Sequence, residues 1–554
     1  MRDISKIQLK NETGTAEIYD IKDAIARLHL LYIFDTVEDM KNATDLENNT
    51  LAKTRGFFQI GKGAGYYYIT NEVQTVDNIR IFSLQNSLYA ILLDNGDISS
   101  YGADDTGVTD CTNILKVAIA NNNILNLEKE GIYLVSSEIT IPSDFTLNGN
   151  FATIKTNDTS LYMISATNQK NINFNNLFFE NAHRCISFIN CNNINLNNIH
   201  ITSNEWAILF RLCKNVTSKN IFFKQPVPLG TSYNNTDGIH INGLINGLFE
   251  NVFGFTGDDF IALNADESNA NYGIIENVRF INCRNDLNTS LELGTNNAYR
   301  CIRFLASTNV IRNIIFENCF FRNATEEVII ASGNTNQQLI DNVKFINCSF
   351  YGNVNNKNLF NSRSYIGTFE FLNCYIENTS NSSMFNITAP FNTLIMNNCK
   401  INNLSSATLY LLNFNAQVTN CSLKNINIIN ANNLNLIIQR TSNLSNLIID
   451  TIKMSSLTNW LIQTYSDADI LNIILNNIPK TNNTGLIYFN TVSQATVQAS
   501  NVDTQILTAS NANFNRLIGG VSDRTPVEPQ NGDMYLLKSG NTYTQKIYSN
   551  GAWT

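Results

Sequence analysis

The sequence predicts an all-β fold, a right-handed parallel β-helix with a small N-terminal head and a C-terminal β-rich module. Two observations support this prediction. A unit made of Asn, an aliphatic residue and alternating apolar residues recurs along the middle of the chain, and its period of two is that of a β-strand. Its copies lie 22 to 36 residues apart, which is typical of a solenoid whose coil is constant and whose loops vary.

The repeated unit can be followed through its Asn, whose positions are Asn176, Asn198, Asn220, Asn251, Asn277, Asn313 and Asn342. Successive coils of a parallel β-helix stack about 4.8 Å apart. At 554 residues, the chain is also longer than one compact core usually allows. An elongated solenoid accounts for both the length and the repeat.

Cysteine follows Asn at the end of many copies of the unit, and we expect these side chains to form one buried column: Cys283, Cys319, Cys348, Cys374, Cys399 and Cys421. The eleven cysteines are an odd number without paired spacings, so no disulfide framework is predicted. The four histidines are far apart, which makes a zinc site improbable. We therefore expect neither a metal nor a cofactor.

The β-helix is predicted to occupy residues 93–515. A short amphipathic helix is expected from about Asp110 to Asn121, followed by short strands over 131–150. This stretch resembles the first segment of pectate-lyase-like β-helices, in which a helix caps the open end of the solenoid. Residues 1–92 lack the repeat and resemble the head regions of bacteriophage tailspikes. Residues 516–554 resemble the small β modules that end many phage tail proteins.

Charge and hydropathy limit the partners and the location. The net charge is −9 and the sequence has no run of Lys or Arg, so a nucleic-acid partner is not expected. We find no apolar stretch long enough to cross a membrane and no secretory signal. The resemblance to tailspikes implies a homotrimer on the virion tail, attached to the tail or baseplate through its N-terminal region.

Three aspartates are separated by one predicted coil. Asp237 lies in Asn235-Thr236-Asp237-Gly238, and Gly257-Asp258-Asp259 follows 21 and 22 residues later. The upstream repeat also has steps of 22 residues, so the three carboxylates should meet on one side of the solenoid. Carboxylates at such distances do not all ionise, and at least one should hold a proton near neutral pH. Hydrolysis of a glycosidic bond uses such a set of carboxyl groups.

Asn-Thr-Asp-Gly followed one coil later by Gly-Asp-Asp resembles the signature of the polygalacturonases of glycoside hydrolase family 28. The resemblance covers roughly residues 171–307 and implies that Asp258 is the general acid, while Asp237 and Asp259 activate water for attack with inversion. The family continues with Gly-His-Gly and an Arg-Ile-Lys segment. Here no histidine follows, and Arg300 and Arg303 either replace the basic pair or are exposed arginines at the coil edge. Galacturonan specificity is therefore in doubt.

Other nearby residues are candidates for substrate binding, and local alternation does not decide which of Asp258 and Asp259 faces outward. Asn235 belongs to the motif, and Tyr233 could border the cleft. Trp206, about one coil upstream, is expected either to stack on a sugar or to pack in the core. His240 is either a substrate contact or a support for the aspartates.

The sequence thus predicts a phage tailspike depolymerase that hydrolyses a bacterial surface polysaccharide. Two alternatives remain open at this point. One is a non-catalytic receptor-binding spike, because a fold does not determine chemistry. The other is a polysaccharide lyase, in which aspartates hold Ca²⁺ and an arginine acts as the base.

Overall fold

The computed structural model describes most of the chain, in the following ranges: 6–10, 16–20, 31–93, 96–224, 236–266, 272–285, 300–322, 326–352, 357–407, 409–430, 434–439, 443–454, 461–464, 470–478, 487–489, 492–502, 512–518, 520–522, 534–539, 542–549 and 551–553. The chain divides into two compact units. The first comprises Met1–Ser165 and Gln169–Ala182, and the second comprises Ala166–Asn168 and His183–Thr554.

In its described residues, the first unit contains two small antiparallel or mixed sheets, two α-helices and the first parallel strands of the solenoid. Its strands are β1 Lys6–Lys10, β2 Ala16–Asp20, β3 Leu31–Phe34, β4 Thr50–Thr54, β5 Tyr66–Thr70, β6 Ile81–Ser83, β7 Tyr89–Leu92, β8 Thr106–Asp110, β9 Ile124–Asn126, β10 Ile132–Leu134, β11 Ile139–Thr140, β12 Phe145–Lys155 and β14 Lys170–Ala182, while β13 Tyr162–Thr167 is divided between the units. Its helices are α1 Val37–Lys41, the 3-10 helix Ile98–Tyr101 and α2 Thr112–Asn121.

The head of the first unit is a five-stranded sheet in the order β3-β4-β5-β7-β6. A capping box at Thr36 and Asp39 begins α1. The predicted helix from about Asp110 to Asn121 is confirmed as α2, which buries Leu115, Ala118 and Ile119. After the head, β12 lies between β10 and β14 and pairs with both in parallel.

The second unit is a long parallel β-solenoid, as predicted. One of its sheets contains β16 Asn192–Ser203, β18 Cys213–Lys224, β20 Leu244–Phe255, β22 Ile275–Ile281, β24 Ile311–Glu317, β25 Phe320–Phe321, β27 Ile340–Ile346, β28 Ser349–Tyr351, β30 Ile366–Leu372, β31 Tyr375–Asn378, β33 Phe391–Asn397, β34 Lys400–Asn403, β36 Val418–Ile429, β38 Leu444–Met454, β40 Ile470–Ile478, β42 Val492–Val502 and β43 Ala512–Ile518.

The second sheet of this unit carries the candidate site. Its strands are β15 Arg184–Ile189, β17 Ile208–Arg211, β19 Ile239–Ile241, β21 Asp259–Asn264, β23 Arg300–Ala306, β26 Ile329–Gly333, β29 Phe360–Arg363, β32 Phe385–Ile387, β35 Leu409–Phe414, β37 Leu434–Gln439, β39 Ile462–Thr464 and β41 Ile487–Phe489. Each strand pairs in parallel with the next, so residues at the same point of successive coils lie side by side. A separate four-stranded sheet follows: β44 Gly520–Ser522, β45 Met534–Ser539, β46 Thr542–Ser549 and β47 Ala552–Trp553.

The repeated Asn occupies two different corners of the coil, and this corrects the predicted repeat. Asn220 and Asn251 share one corner, whereas Asn277 shares the other with Asn246, to which its side-chain amide donates a hydrogen bond. The interval between 251 and 277 is therefore not a coil length. Both corners need a positive φ, which Asn adopts more readily than other non-glycine residues, so the same motif arises at each.

The interior is a set of side-chain columns. Five phenylalanine rings stack at centroid distances of 4.8–5.0 Å: Phe249, Phe280, Phe316, Phe345 and Phe371. Cys283, Cys319, Cys348, Cys374 and Cys399 form the predicted thiol column, each donating to a carbonyl of the preceding coil. Cys421 does not belong to it, because that residue pairs with Leu394 on a different part of the coil.

Among the residues that the structure describes, no helix has the length and apolar character that a transmembrane span requires.

Candidate active site

One column of the second sheet contains four of the nine candidate residues, Trp206, Asp237, Asp259 and Arg300. Each member lies two residues before an inward-facing Ile, and these isoleucines are in register from coil to coil: Ile186, Ile208, Ile239, Ile261, Ile302 and Ile329. The residues two positions earlier are Arg184, Trp206, Asp237, Asp259, Arg300 and Glu327. The fold therefore stacks three acidic residues, two arginines and a tryptophan.

The predicted juxtaposition of the aspartates is present. The amide of Gly238 donates to the carbonyl of Asp259 over 3.0 Å, and the amide of Asp258 donates to the carbonyl of Thr236 over 3.2 Å. One carboxylate oxygen from each of Asp237, Asp258 and Asp259 lies within 4.8 Å of the other two. All three residues are buried, with Asp258 the most accessible at 8% exposure, against 3% for Asp237 and 1% for Asp259.

Asp237 is held by two donors. Its Oδ1 accepts from the amide of Asp259 over 2.9 Å, and its Oδ2 accepts from His240 Nδ1 over 2.5 Å. Asn242 Nδ2 donates to His240 Nε2 over 3.1 Å and also to the carbonyl of Asn264 over 3.1 Å. Because an amide nitrogen cannot accept, the Asn242 contact leaves the imidazole proton on Nδ1, where it points at Asp237.

Trp206 is enclosed by its neighbours. Its ring stacks on that of His240 with centroids 3.7 Å apart, and the Arg184 guanidinium lies 3.9 Å from the indole centroid. Arg184 in turn donates to Glu205. With 5% exposure and these two neighbours, Trp206 fits the packing role, which is one of the two roles that the sequence left open. It fixes the plane of the His240 imidazole.

Arg300 and Arg303 face the aspartates, as one of the two open interpretations predicts. Arg300 Nη1 lies 3.6 Å from Asp259 Oδ1 and 3.8 Å from Asp258 Oδ1. Arg303 Nη1 lies 3.7 Å from Asp259 Oδ2. Their side chains are 17% and 30% exposed, so neither is a fully solvated arginine at a coil edge.

The pKa values of two aspartates are raised. Burial, reinforced by the Asp258 charge, raises the pKa of Asp259 to about 7, although Arg303 and Arg300 oppose the shift. Burial also raises the pKa of Asp237, while the hydrogen bond from His240 acts in the opposite direction. Neighbouring carboxyl groups titrate as a unit, so a proton retained near neutral pH belongs to the Asp258–Asp259 pair.

Glu327 also belongs to the site, and the sequence analysis missed it. It is 3% exposed, and its Oε2 lies 3.8 Å from Arg300 Nε. The available signal was the pattern of a polar residue, a spacer and a buried Ile, which also begins Asp237-Gly238-Ile239. Two predicted substrate contacts, Asn235 and Tyr233, lie outside the described residues.

The sequence matches no known family model and no curated protein. Solved structures with a similar fold include a family 28 exopolygalacturonase of Yersinia enterocolitica, at 12% identity over 71% of this chain and 81% of that chain with a TM-score of 0.45. Pre-mature gene product 12 of bacteriophage phi29 is 14% identical, with 75% of this chain and 56% of that chain covered and a TM-score of 0.44.

A third similar structure is a tailspike protein of Acinetobacter baumannii bacteriophage Fri1, described as a capsular polysaccharide depolymerase. It is 11% identical, with 93% of this chain and 81% of that chain covered and a TM-score of 0.30. At these identities the similarity concerns the β-helical architecture alone.

Proposed function

We propose that this chain is a phage tailspike depolymerase that hydrolyses glycosidic bonds in a bacterial surface polysaccharide. One observation carries the proposal: carboxylate oxygens of Asp237, Asp258 and Asp259 converge within 4.8 Å on one side of the solenoid. A buried set of carboxyl groups that shares a proton provides both the acid and the base of glycoside hydrolysis.

In the proposed mechanism, Asp258 donates a proton to the leaving oxygen because it is the most accessible of the three. Asp237 and Asp259 orient and activate the attacking water, and the anomeric centre is inverted. Inverting enzymes typically separate the acid and base carboxyl groups by about 6.5–9.5 Å. The 4.8 Å limit in this site applies to single oxygen atoms of the three aspartates, not to whole carboxyl groups. The anomeric configuration of the first product, followed by NMR, tests directly whether the reaction inverts.

The same three oxygens would also suit a divalent cation, which a Ca²⁺-dependent lyase requires. Arg300 and Arg303 disfavour this use, because their guanidinium nitrogens lie 3.6–3.8 Å from Asp258 and Asp259. Asp237 also already accepts two hydrogen bonds. Hydrolysis in excess EDTA, without a product that absorbs in the ultraviolet, is therefore expected, whereas loss of cleavage in EDTA would favour the lyase.

The remaining parts of the proposal concern assembly. Residues 1–92 attach the protein to the phage tail or baseplate, residues 93–515 form the catalytic β-helix, and residues 516–554 form the terminal module. The protein is proposed to be a homotrimer at the virion tail. Sedimentation equilibrium of the full chain should give three times the monomer mass, and a monomer would contradict the spike assignment.

The decisive experiment for the activity is incubation with purified capsular and wall polysaccharides from candidate host bacteria. Size-exclusion chromatography and a reducing-end assay then follow the products. Cleavage by the wild type that is absent in Asp258→Asn supports the hydrolase. Binding without cleavage of any polysaccharide would instead support a receptor-binding spike.

A further inference from the structure

The charged column continues beyond the three aspartates, through Arg300 to Glu327. Arg300 pairs in register with Asp259, and Glu327 lies at the equivalent position of the next coil. The guanidinium is placed between carboxylates on both sides. Its Nη1 is 3.6 Å from Asp259 and 3.8 Å from Asp258, while its Nε is 3.8 Å from Glu327. These are ion-pair distances, longer than the roughly 2.7–2.9 Å of a charge-assisted hydrogen bond.

Glu327 itself is fixed more tightly than Arg300. Its Oε1 accepts from Asn361 Nδ2 over 2.9 Å and from Arg363 Nη2 over 3.1 Å. Its side chain is 4% exposed, whereas that of Arg363 is 56% exposed. The carboxylate is therefore a buried anion whose charge is shared between a solvent-exposed arginine and the arginine of the site.

A ladder of amides supports this carboxylate from the following coils. Asn361 Oδ1 accepts from Asn386 Nδ2 over 3.2 Å. Asn386 Oδ1 accepts from Asn413 over 2.9 Å and from Asn415 over 3.0 Å. Every donor in this ladder points toward Glu327, so the amides polarise one another and hold the carboxylate in place.

We propose that Glu327 is a positioning residue, which holds the Arg300 guanidinium away from direct hydrogen bonds with Asp258 and Asp259. Glu327 attracts Arg300 from the side opposite the aspartates and keeps it between the two acidic groups. This inference rests on the proposed function of the same site, because the consequence that matters is retention of the proton by the Asp258–Asp259 pair.

The other charged or titratable groups that face the pair are the Asp237 carboxyl group, the His240 imidazole, the Arg303 guanidinium and the Cys301 thiol. Glu327 differs from them in its place in the fold, because it contacts Arg300 from the coil that follows Arg300. It is therefore placed to control how far Arg300 moves toward the aspartates.

Two substitutions, one at Glu327 and one at Arg363, should shift the pKa of the Asp258–Asp259 pair in opposite directions. In Glu327→Gln, the attraction of the Glu327 charge for Arg300 is lost, so Arg300 should move toward the aspartates and lower the pKa of the pair. In Arg363→Gln, the full charge of Glu327 acts on Arg300 and draws it away, which raises the pKa of the pair. An opposite charge within about 4–6 Å shifts a carboxyl pKa by roughly one to three units.

The first measurement does not depend on catalysis. Crystal structures of wild-type protein and Glu327→Gln should show Arg300 Nη1 moving from 3.6 Å to about 2.9 Å from Asp259. Glu317→Gln is the matched control, because Glu317 pairs with Arg279 over 2.8 Å on the other sheet of the coil. If Arg300 keeps its position when Glu327 is neutral, the proposal is wrong whatever the activity of the protein.

The second measurement is the pH dependence of kcat on a polysaccharide that the wild type cleaves. The acid form of the pair is required, so activity is lost as pH rises through its pKa. In Glu327→Gln, kcat should fall at a pH about one unit lower than in wild type, so that kcat above that pH is about tenfold lower. In Arg363→Gln, kcat should fall at a higher pH than in wild type. Shifts in the same direction, or none, would overturn the proposal. A wild type that cleaves no polysaccharide would overturn the proposed function, and the crystallographic comparison would still decide the role of Glu327.

Discussion

His240 donates a hydrogen bond from Nδ1 to Oδ2 of Asp237 over 2.5 Å, in a region where both residues are at most 3% exposed. Asn242 supports the other imidazole nitrogen, and Trp206 stacks on the ring. The aspartate is therefore oriented by an imidazole whose tautomer and plane are both determined by neighbouring side chains. In catalytic sites, a buried partner often orients the reacting group in a similar way.

The first prediction tests this orientation. His240→Leu removes a donor to a buried carboxylate and should lower the free energy of unfolding by about 1–3 kcal/mol, with a loss of cleavage. His240→Gln retains a side-chain donor and should lose less stability. Differential scanning calorimetry and a cleavage assay on both variants provide the test. Equal stability of the Leu and Gln variants would show that the hydrogen bond does not orient Asp237.

The second prediction concerns the proposed general acid. Asp258→Asn should reduce cleavage by about 10²–10⁴-fold, because an amide cannot supply the proton. Circular dichroism and co-sedimentation with intact polysaccharide should be unchanged. Asp158→Asn is a suitable control, since Asp158 is an exposed turn residue that accepts hydrogen bonds from Ser160. Normal cleavage by Asp258→Asn would refute the assignment.

The third prediction concerns pH and stability. The pKa of Asp259 is about 7 in the folded protein, above the ordinary value of about 3.9. The folded state therefore binds this proton more tightly than the unfolded state, and the stability it contributes is present below about pH 4 and lost as pH rises to about 7.

The Asp259→Asn side chain cannot ionise, so this variant should not lose stability from that group as pH rises from 4 to 7. Its melting temperature should rise relative to wild type between pH 4 and 7, with a ceiling on the order of 4 kcal/mol for a shift of about three units. In Asp158→Asn the pH dependence across that window should match wild type, because hydrogen bonds from Ser160 hold the pKa of Asp158 below its usual range. Parallel curves for wild type and Asp259→Asn would contradict the raised pKa.

The fourth prediction concerns the thiols. All eleven cysteines are buried, and burial raises the pKa of Cys213, for example, to about 12. Because the thiolate is the reactive form, the thiols of native protein at pH 8 should not react with a disulfide reagent. In unfolded protein, eleven thiols per chain should react. Rapid labelling of native protein would show that part of the column is open to solvent.

The coil and the proximity of Asp237 to Asp258 and Asp259 could be predicted from the sequence, because a separation of 22 residues equals one coil at that point. The presence of Glu327 in the site could not be predicted in this way. Asp259 and Arg300 are separated by 41 residues although they are neighbours in register, so no constant spacing leads from one coil to the next.

The two corners of the coil explain a second failure. Both demand a left-handed backbone conformation, both select Asn, and sequence alone does not distinguish them. The sequence left two roles open for Trp206, because the choice between them depends on Arg184 and His240 from the coils on either side. Side chains that meet across coils are set by register, which local periodicity does not reveal.

The variable length of the repeat has a consequence for the proposed function. Between Lys224 and Ile239, and again between Asn285 and Arg300, the chain adds residues directly before Asp237 and Arg300. The coils on either side keep their register. If the chain has the proposed function, exchange of these segments between proteins that share this coil should change which polysaccharide is cleaved, while the carboxyl groups and the stacked core remain the same.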